Sequence, residues 1–147
     1  MAGNITLENI QECRLACGFT GHAPRQLCIE LVNGLKSANY LSTRNRIAIF
    51  LAQVFHESGG LENCEEMNCN PVAHESYMYD GKCFHGRGIL QISHHYNYRA
   101  AGHGQGLGDS FFDNPSLVLS AKNSVSCALW FWRTNIIKDP DWCSPVL

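Results

Sequence analysis

The stretch FLAQVFHESGGL, residues 50–61, places one carboxylate, Glu57, at the end of an apolar segment and follows it with two glycines. It closes a longer run, RNRIAIFLAQVFHES (44–58), which a preceding Ser-Thr pair can cap and the glycines can end. Residues 47–55 are apolar nearly all round, which predicts a helix through the centre of the fold. Glu57 would lie in its last turn.

A carboxylate at the end of a buried helix is poorly solvated, and this disfavours its charged form. Such an environment suits a general acid, and the two glycines leave room for a ligand to approach Glu57. Glycoside hydrolysis needs an acid and a second carboxylate, which inverting enzymes hold roughly 6.5–9.5 Å apart. The loop region that follows offers four candidates for the second group: Glu62, Glu65, Glu66 and Glu75. From its position alone, Glu57 could equally be a solvated glutamate at a helix end.

Helical spacing of apolar residues recurs along the rest of the chain. A first helix is predicted between Thr6 and Gly18, with Leu7, Ile10, Cys13 and Cys17 on its apolar face. Further helices are predicted at about 24–38, 93–102 and 117–134, with a flexible glycine-rich connection at 102–108. Residues 61–88 show little periodicity, which indicates loops and a short hairpin. The sequence therefore predicts a mainly α-helical single domain over residues 1–147.

Composition and charge exclude several classes of partner. The formal net charge is -2 and the eleven Lys and Arg residues are scattered, so no nucleic acid or membrane partner is expected. The longest apolar stretch is about half the length needed to cross a bilayer. The glycine run GHGQGLG lacks the preceding strand and following Lys-Ser/Thr of a phosphate loop, so no nucleotide cofactor is expected. We expect a soluble monomer that binds an uncharged ligand and needs no cofactor or metal.

Eight cysteines are spread along the chain, which is typical of disulfides in a secreted protein. They lie at positions 13, 17, 28, 64, 69, 83, 127 and 143. Their pairing is open, because eight cysteines allow about 105 connectivities. The alternative is a zinc site that includes His94 and His95, but no Cys-x-x-Cys pair supports it.

Four segments, FLAQVFHESGGL, GRGILQISHHYNYRAAG, DNPSLV and CALWFWRT, follow one another in this order across residues 50–134. Taken together they resemble the signature segments of family 19 chitinases. The resemblance implies a lysozyme-like, bilobal helical domain with a small loop and hairpin region, stapled by disulfides. It also implies endo-acting hydrolysis of chitin, the β-1,4-linked polymer of N-acetylglucosamine, with inversion at the anomeric carbon.

The resemblance assigns three catalytic positions. Glu57 matches the catalytic acid, and Ser93 matches the serine that helps to hold the attacking water. Glu66 matches the general base, which follows the acid by nine residues in the shorter, bacterial-type members. Glu65 next to it leaves the register open, and the wider spacing of plant members with an insertion points to Glu75. We prefer Glu66 because HESGGL follows the shorter pattern.

Five more positions are candidates for substrate binding. Gln91, Tyr96 and Asn97 match residues that line the sugar cleft, and amides and hydroxyls can hydrogen-bond a neutral sugar. His56 could orient polar groups and Arg87 could pair with a catalytic carboxylate, although both fit a purely structural role equally well. The aromatic cluster at 130–132 is interpreted as core.

The chain also departs from the family pattern. Ile89 replaces a proline, His95 an asparagine, and His85 an aromatic residue. After CALWFWRT, the usual Ile-Asn-Gly-Gly segment and final Asn-Arg-Ile helix are not found. We expect a cleft with fewer subsites, which keeps peptidoglycan cleavage and non-catalytic sugar binding open as alternatives.

Overall fold

The computed structural model describes residues 4–66 and 75–137. Six α-helices follow in order: α1 Leu7–Ala16, α2 Arg25–Ser37, α3 Arg44–Ser58, α4 His95–Gly104, α5 Ser110–Asp113 and α6 Ala121–Phe131. Two-residue strands β1 (Met78–Tyr79) and β2 (Lys82–Cys83) form the sheet, and 3-10 turns lie at Glu75–Tyr77 and Pro115–Leu119. A π-helical turn, Trp132–Ile136, continues α6. The prediction of a mainly α-helical fold with a short hairpin is confirmed.

Side-chain caps fix the starts of three helices. Thr6, Thr43 and Ser120 each accept a hydrogen bond of 3.2 Å from the backbone N–H three residues further on. These bonds satisfy donors that a helix start otherwise leaves unpaired. At its other end α3 stops at Gly59, whose left-handed φ of 56° is one that glycine adopts at no steric cost.

The hairpin and two isolated bridges bring distant loops together. Met78 pairs with Cys83 and Tyr79 with Lys82, across a turn whose two central residues, 80 and 81, have positive φ. Beyond the hairpin, Arg87 forms antiparallel bridges to Glu65 on one side and to Ile92 on the other. The chain just after α3 is therefore held against residues 86–92.

The described core has two clusters. The larger joins α1, α2, α3 and α6 around Leu31, Leu35, Phe50 and Val54. The smaller fills the space between the hairpin, α4, α5 and the start of α6. Its buried members are Phe84, Ile92, Tyr98, Ala101, Phe111, Phe112, Val118 and Cys127.

The prediction that α3 runs through the centre of the fold is wrong. Its buried residues are Phe50, Leu51, Val54, Phe55 and Ser58. The opposite face, which includes Ala52, Gln53, His56 and Glu57, is exposed. Alanines and a glutamine on that face are small or polar enough to stay in water, so α3 is amphipathic. Glu57 therefore stands in solvent and not in the poorly solvated spot expected from the sequence.

The apolar face predicted for α1 is also partly wrong. Cys13 and Cys17 are exposed, and the residues that α1 buries are Ile10 and Arg14. The buried stripe keeps helical spacing, but an arginine takes the position expected for an apolar residue.

Two predicted boundaries shift. The helix expected at 117–134 starts at Ala121, because Ser120 adopts an extended ψ of 146° and the preceding residues form a 3-10 turn. The connection expected at 102–108 is partly helical, because α4 runs to Gly104.

The predicted full set of disulfides is not confirmed: of the described cysteines, only Cys83 is disulfide-bonded. Cys13, Cys17, Cys28, Cys64 and Cys127 carry free thiols, so no disulfide joins two of the described cysteines. Burial raises the pKa of the Cys127 thiol to about 11. Cys69 and Cys143, which are part of the predicted disulfide set, lie outside the described residues. Within the described ranges, no helix has the length and apolarity needed to span a bilayer.

Ser124 on α6 anchors the loop at 86–92, and this predicts a measurable loss of stability on its removal. Its buried hydroxyl accepts a 2.8 Å hydrogen bond from the Ile89 N–H. Ser124→Ala leaves that buried donor unpaired, which should lower the free energy of unfolding by about 1–3 kcal/mol. Urea unfolding followed by circular dichroism measures the change. Ser126→Ala is the control, because the hydrogen bonds of the Ser126 side chain are to Asn123 and Cys127 of its own helix, and equal stability of the two variants would contradict the anchor.

Candidate active site

A cavity of about 310 Å³ brings the main sequence candidates together. Its lining residues are Glu57, Glu66, Tyr77, Gly86, Gln91 and Ser93. They come from the end of α3, from the loop after it, from the 3-10 turn at Glu75–Tyr77, and from residues 86–93, the bridged segment that precedes α4. Two glutamates on different structural elements thus face one open cavity, together with an amide and two hydroxyl groups.

Glu57 is presented by the exposed face of α3. Gln53, one turn earlier, donates a 2.8 Å hydrogen bond from its Nε2 to the Glu57 Oε1. This contact holds one carboxylate oxygen of Glu57, and the second oxygen takes no part in it. Gln53 was not singled out in the sequence, although its spacing of four residues from Glu57 on a helix was a usable signal.

Glu66 is held by two reciprocal hydrogen bonds with Gly86. The Glu66 N–H donates to the Gly86 carbonyl at 2.8 Å, and the Gly86 N–H donates to the Glu66 Oε2 at 3.0 Å. A backbone donor is a rigid partner, so the position of the Glu66 carboxylate follows that of residues 86–92. A side chain at residue 86 would collide with Gln91, since a Cβ there would lie 2.5 Å from the Gln91 Oε1. A side chain at position 86 would therefore require Gln91 to move away from the backbone that bonds the Glu66 carboxylate.

Glu65 takes part in a separate charge cluster outside this cavity. Its Oε1 lies 2.9 Å from the His85 Nε2 and 3.4 Å from the Arg87 Nε. Arg87 is 8% exposed, and its Nη1 donates to the Cys83 carbonyl at 3.0 Å and to the Tyr98 hydroxyl at 3.1 Å. The expected pairing of Arg87 with a catalytic carboxylate is therefore replaced by a pairing with Glu65, and Arg87 does not line the cavity.

Tyr98 closes the cluster from α4. Its hydroxyl donates a 2.6 Å hydrogen bond to the His85 carbonyl. Burial raises its pKa to about 12, partly offset by the neighbouring Arg87 guanidinium. The hydroxyl therefore stays protonated at neutral pH and keeps both of its bonds. This arrangement ties the chain around Gly86 to the second core cluster.

Gln91 and Ser93 line the cavity together with the two glutamates. Gln91 has a left-handed φ of 53°, and its Nε2 donates to the Gly88 carbonyl at 2.9 Å. That bond leaves the Gln91 amide oxygen available as an acceptor. Asn97 donates a 2.9 Å hydrogen bond to the Ser93 carbonyl. Asn97 therefore supports Ser93 from behind but does not itself line a described cavity.

Aromatic rings extend the cavity wall along the start of α4. His94 stacks on Tyr96 with the two ring planes 3° apart and 5.4 Å between centroids. Its other neighbour is Tyr77, at 5.1 Å. Tyr96 is 57% exposed and lies outside the cavity lining, whereas Tyr77 lines it. Tyr77 was missed in the sequence because the loop at 61–88 showed no period from which to read its direction.

A second cavity, of about 460 Å³, continues the first, because both share Glu57 and Gln91. Its other lining residues are Gln53, Leu90, Phe131, Trp132 and Ile136. Trp132 is buried, and its ring packs edge-on against Phe50 at 5.3 Å. The interpretation of the aromatic cluster as core is right for Trp132, but Phe131 and Trp132 also border this cavity.

Three further candidates lie outside both cavities. His56 is exposed on α3, and Glu75 is exposed at the start of a 3-10 turn. Glu62 pairs with Arg14 at 3.1 Å. Within residues 4–66 and 75–137, no group of three or more His, Cys, Asp or Glu side chains could hold a metal ion.

Comparisons with known proteins identify the family of the chain. The family model of class I chitinases, glycoside hydrolase family 19, matches residues 61–146. An endochitinase of Arabidopsis thaliana is 34% identical over 124 residues, which cover 82% of this chain and 43% of that protein. Chitinase 10 of Oryza sativa subsp. japonica is 36% identical over 110 residues, which cover 62% and 37%. The chain thus spans less than half the length of the curated relatives it matches.

Solved structures share the fold. A family 19, class IV chitinase from Zea mays aligns with a TM-score of 0.65 and 26% identity, covering 90% of this chain and 71% of that one. Chitinase C from Streptomyces griseus aligns with a TM-score of 0.51 and 23% identity, covering 88% and 58%, a likeness of fold alone. The predicted lysozyme-like helical fold is confirmed, and the chain belongs to glycoside hydrolase family 19.

Proposed function

We propose that this protein is an endo-acting chitinase that cleaves β-1,4-linked N-acetylglucosamine polymers with inversion, with Glu57 as general acid and Glu66 as general base. The observation that carries the proposal is the shared cavity: Glu57 and Glu66 line it with Ser93 and Gln91. Relatives that match the chain are named as endochitinases and chitinases. Because those relatives are longer than this chain, the proposed chitinase activity rests on the residues of the cavity.

The contacts of the two glutamates fit different tasks. Glu57 stands on an exposed helix face, with one oxygen held by the Gln53 amide. It can reach the glycosidic oxygen of a chain lying in the open cleft and give it a proton as the bond breaks. Glu66 accepts a hydrogen bond from the Gly86 N–H, which fixes its carboxylate at the cavity, where it can accept a proton from water.

Among Glu65, Glu66 and Glu75, Glu66 is the best candidate for the general base. Glu65 already shares its carboxylate between His85 and Arg87, and Glu75 lies outside both cavities. A base must have an oxygen free to reach water within hydrogen-bond distance of the sugar. Of the three candidates, Glu66 alone lines a cavity with the proposed acid.

The rest of the cavity suits an attacking water and a neutral sugar. The hydroxyl of Ser93 can hold water beside Glu66, on the face of the sugar ring away from Glu57. The Gln91 amide oxygen and the Tyr77 hydroxyl can hydrogen-bond hydroxyl and N-acetyl groups. One displacement by this water breaks the glycosidic bond and inverts the anomeric carbon. Four of the predicted binding residues do not line the cavity and are proposed to act from its surroundings: Tyr96, Asn97, His56 and Arg87.

We further propose that the protein is a secreted monomer whose residues 1–147 act as one catalytic domain. The eight cysteines support an oxidising compartment. Intact mass before and after reduction measures how many thiols pair in the secreted protein.

Replacing the two cavity glutamates should abolish chitin cleavage. Glu57→Gln and Glu66→Gln each keep the shape of the side chain but cannot exchange the proton, so kcat on chitin hexamer should fall about 10²–10⁴-fold. Reducing-end release measures the rate. Glu75→Gln is the control and should retain native kcat within about twofold, because an exposed substitution outside the site has little effect.

Other outcomes of the same assay would contradict the proposal. Loss of activity in Glu75→Gln with activity kept in Glu66→Gln would assign the general base to Glu75. Clearing of a bacterial cell-wall suspension with no cleavage of chitin would favour peptidoglycan as substrate. Retention on chitin beads with no reducing ends released from either polymer would favour a sugar-binding protein.

Ser93→Ala should lower kcat more than it changes KM. The hydroxyl is proposed to act on the attacking water, so its removal should cost roughly 10–100-fold in kcat with KM within about threefold. Ser42→Ala, at an exposed position before α3, is the control. A rise in KM at unchanged kcat would instead make Ser93 a ground-state sugar contact.

A further inference from the structure

Arg14 on α1 is buried, with 1% exposure, and makes four hydrogen bonds. Its Nε donates to the Gly60 carbonyl at 2.6 Å, and its Nη1 to the Gln11 Oε1 at 2.7 Å. Its Nη2 donates to the Gly21 carbonyl at 2.9 Å and to the Glu62 Oε1 at 3.1 Å. Burying a guanidinium is costly unless it is paired and hydrogen-bonded, so this set of acceptors is bound to Arg14 tightly.

Two of these acceptors lie in the turn directly after Glu57. Gly59, Gly60 and Leu61 have consecutive positive φ values of 56°, 70° and 72°. Leu61 is not glycine and is fully buried, so its backbone is strained and persists only because its surroundings hold it. A Cβ at Gly60 would lie 2.4 Å from the Phe19 ring, so the turn is also closely packed.

Ser58 fixes this turn from within. Its hydroxyl donates to the Val54 carbonyl at 2.6 Å and accepts from the Leu61 N–H at 2.9 Å. Arg14 adds the contact from another helix, and through Glu62 it reaches two residues beyond Gly60. The turn therefore has one set of bonds from α3 and a second set from α1.

Eight residues, 58–65, connect the two proposed catalytic glutamates. The second half of this connection is tied to the bridged segment, where the Cys64 carbonyl accepts from the Gly88 N–H at 2.7 Å and Glu66 bonds Gly86. Its first half is the turn that Arg14 grips at Gly60 and Glu62. The distance between the Glu57 and Glu66 carboxylates thus depends on both ends being fixed.

We propose that Arg14 is a positioning residue which, through the Gly60 carbonyl and Glu62, sets the separation of the Glu57 and Glu66 carboxylates. The inference rests on the proposed function, because the separation matters only if the two groups act together. Arg14 touches neither carboxylate, so it acts through the turn. A misplacement of about 1 Å at a catalytic group can cost roughly 10²-fold in rate.

The first test compares kinetics of Arg14 variants with those of a matched core variant. Arg14→Met keeps the length of the side chain without its donors, and should lower kcat on chitin hexamer about 10–100-fold with KM within about threefold. Arg14→Lys restores the charge but not the planar set of donors, so its kcat should lie between those of Arg14→Met and the native chain. Leu31→Ala, in the core away from the turn, should lower stability while keeping kcat per folded molecule.

The second test does not depend on activity. Amide hydrogen exchange by NMR reports the N–H groups of Gly60, Leu61 and Asn63, which are bonded to Phe55 and Ser58. In Arg14→Met these three should exchange at least about tenfold faster while amides inside α2 keep their native protection, as expected for local opening. Leu31→Ala should show the opposite distribution.

The outcomes separate the two proposals. Native kcat in folded Arg14→Met, or faster exchange spread equally over the turn and α2, would overturn the positioning role. If the native chain cleaves no chitin, the proposed function fails and so does the catalytic meaning of the separation, whatever the exchange rates show. The positioning role of Arg14 would also be overturned if the loss of kcat in Arg14→Met and in Leu31→Ala followed the decrease in melting temperature of each variant.

Discussion

The reciprocal pair of hydrogen bonds between Glu66 and Gly86 is the contact on which the site depends. It joins the loop that leaves α3 to the bridged segment that enters α4. Without it, the carboxylate of Glu66 would have no fixed relation to Ser93 and Gln91, which share its cavity. The bond also explains the glycine at position 86, because the Gln91 side chain fills the space that a Cβ would need.

Adjacent glutamates in this loop have opposite surroundings. Glu65 lies beside His85 and Arg87 and contacts both side chains. Glu66 faces the cavity and accepts a hydrogen bond from a backbone N–H. The alternation of side chains along an extended segment accounts for this difference. The Glu65 cluster in turn binds Tyr98 and the second core cluster, so the charge next to the proposed base serves to hold the chain that carries it.

Much of the fold was predictable from the sequence because it depends on local signals. Thr6, Thr43 and the glycines after Glu57 marked helix ends, and α3 has the bounds that were predicted. The error about its burial came from reading Ile49 and the alanines as buried, although single apolar residues are common on exposed faces. The buried Arg14 could not be predicted, because its acceptors come from the turn after α3 and from the loop before α2, which only the tertiary fold brings to α1.

The candidate site was predictable to the extent that it follows motifs. Glu57, Glu66, Ser93 and Gln91 line one cavity, whereas Arg87 binds Glu65. Tyr77 and Gln53 were missed because one lies in an aperiodic loop and the other looked like an ordinary helix residue. The two misses have different causes: the loop around Tyr77 carries no period that indicates the direction of a side chain, whereas the spacing of Gln53 from Glu57 on α3 was a signal that went unused.

Anomer-resolved proton NMR of the products released from chitin hexamer tests the central claim most directly. Two carboxylates acting on opposite faces of the sugar in one displacement must yield fresh α-anomer, before mutarotation mixes the forms. The account predicts this α product from the native chain and none from Glu57→Gln. Fresh β-anomer would contradict the assigned roles, because it requires a covalent or substrate-assisted route in which Glu66 does not activate water from the opposite face.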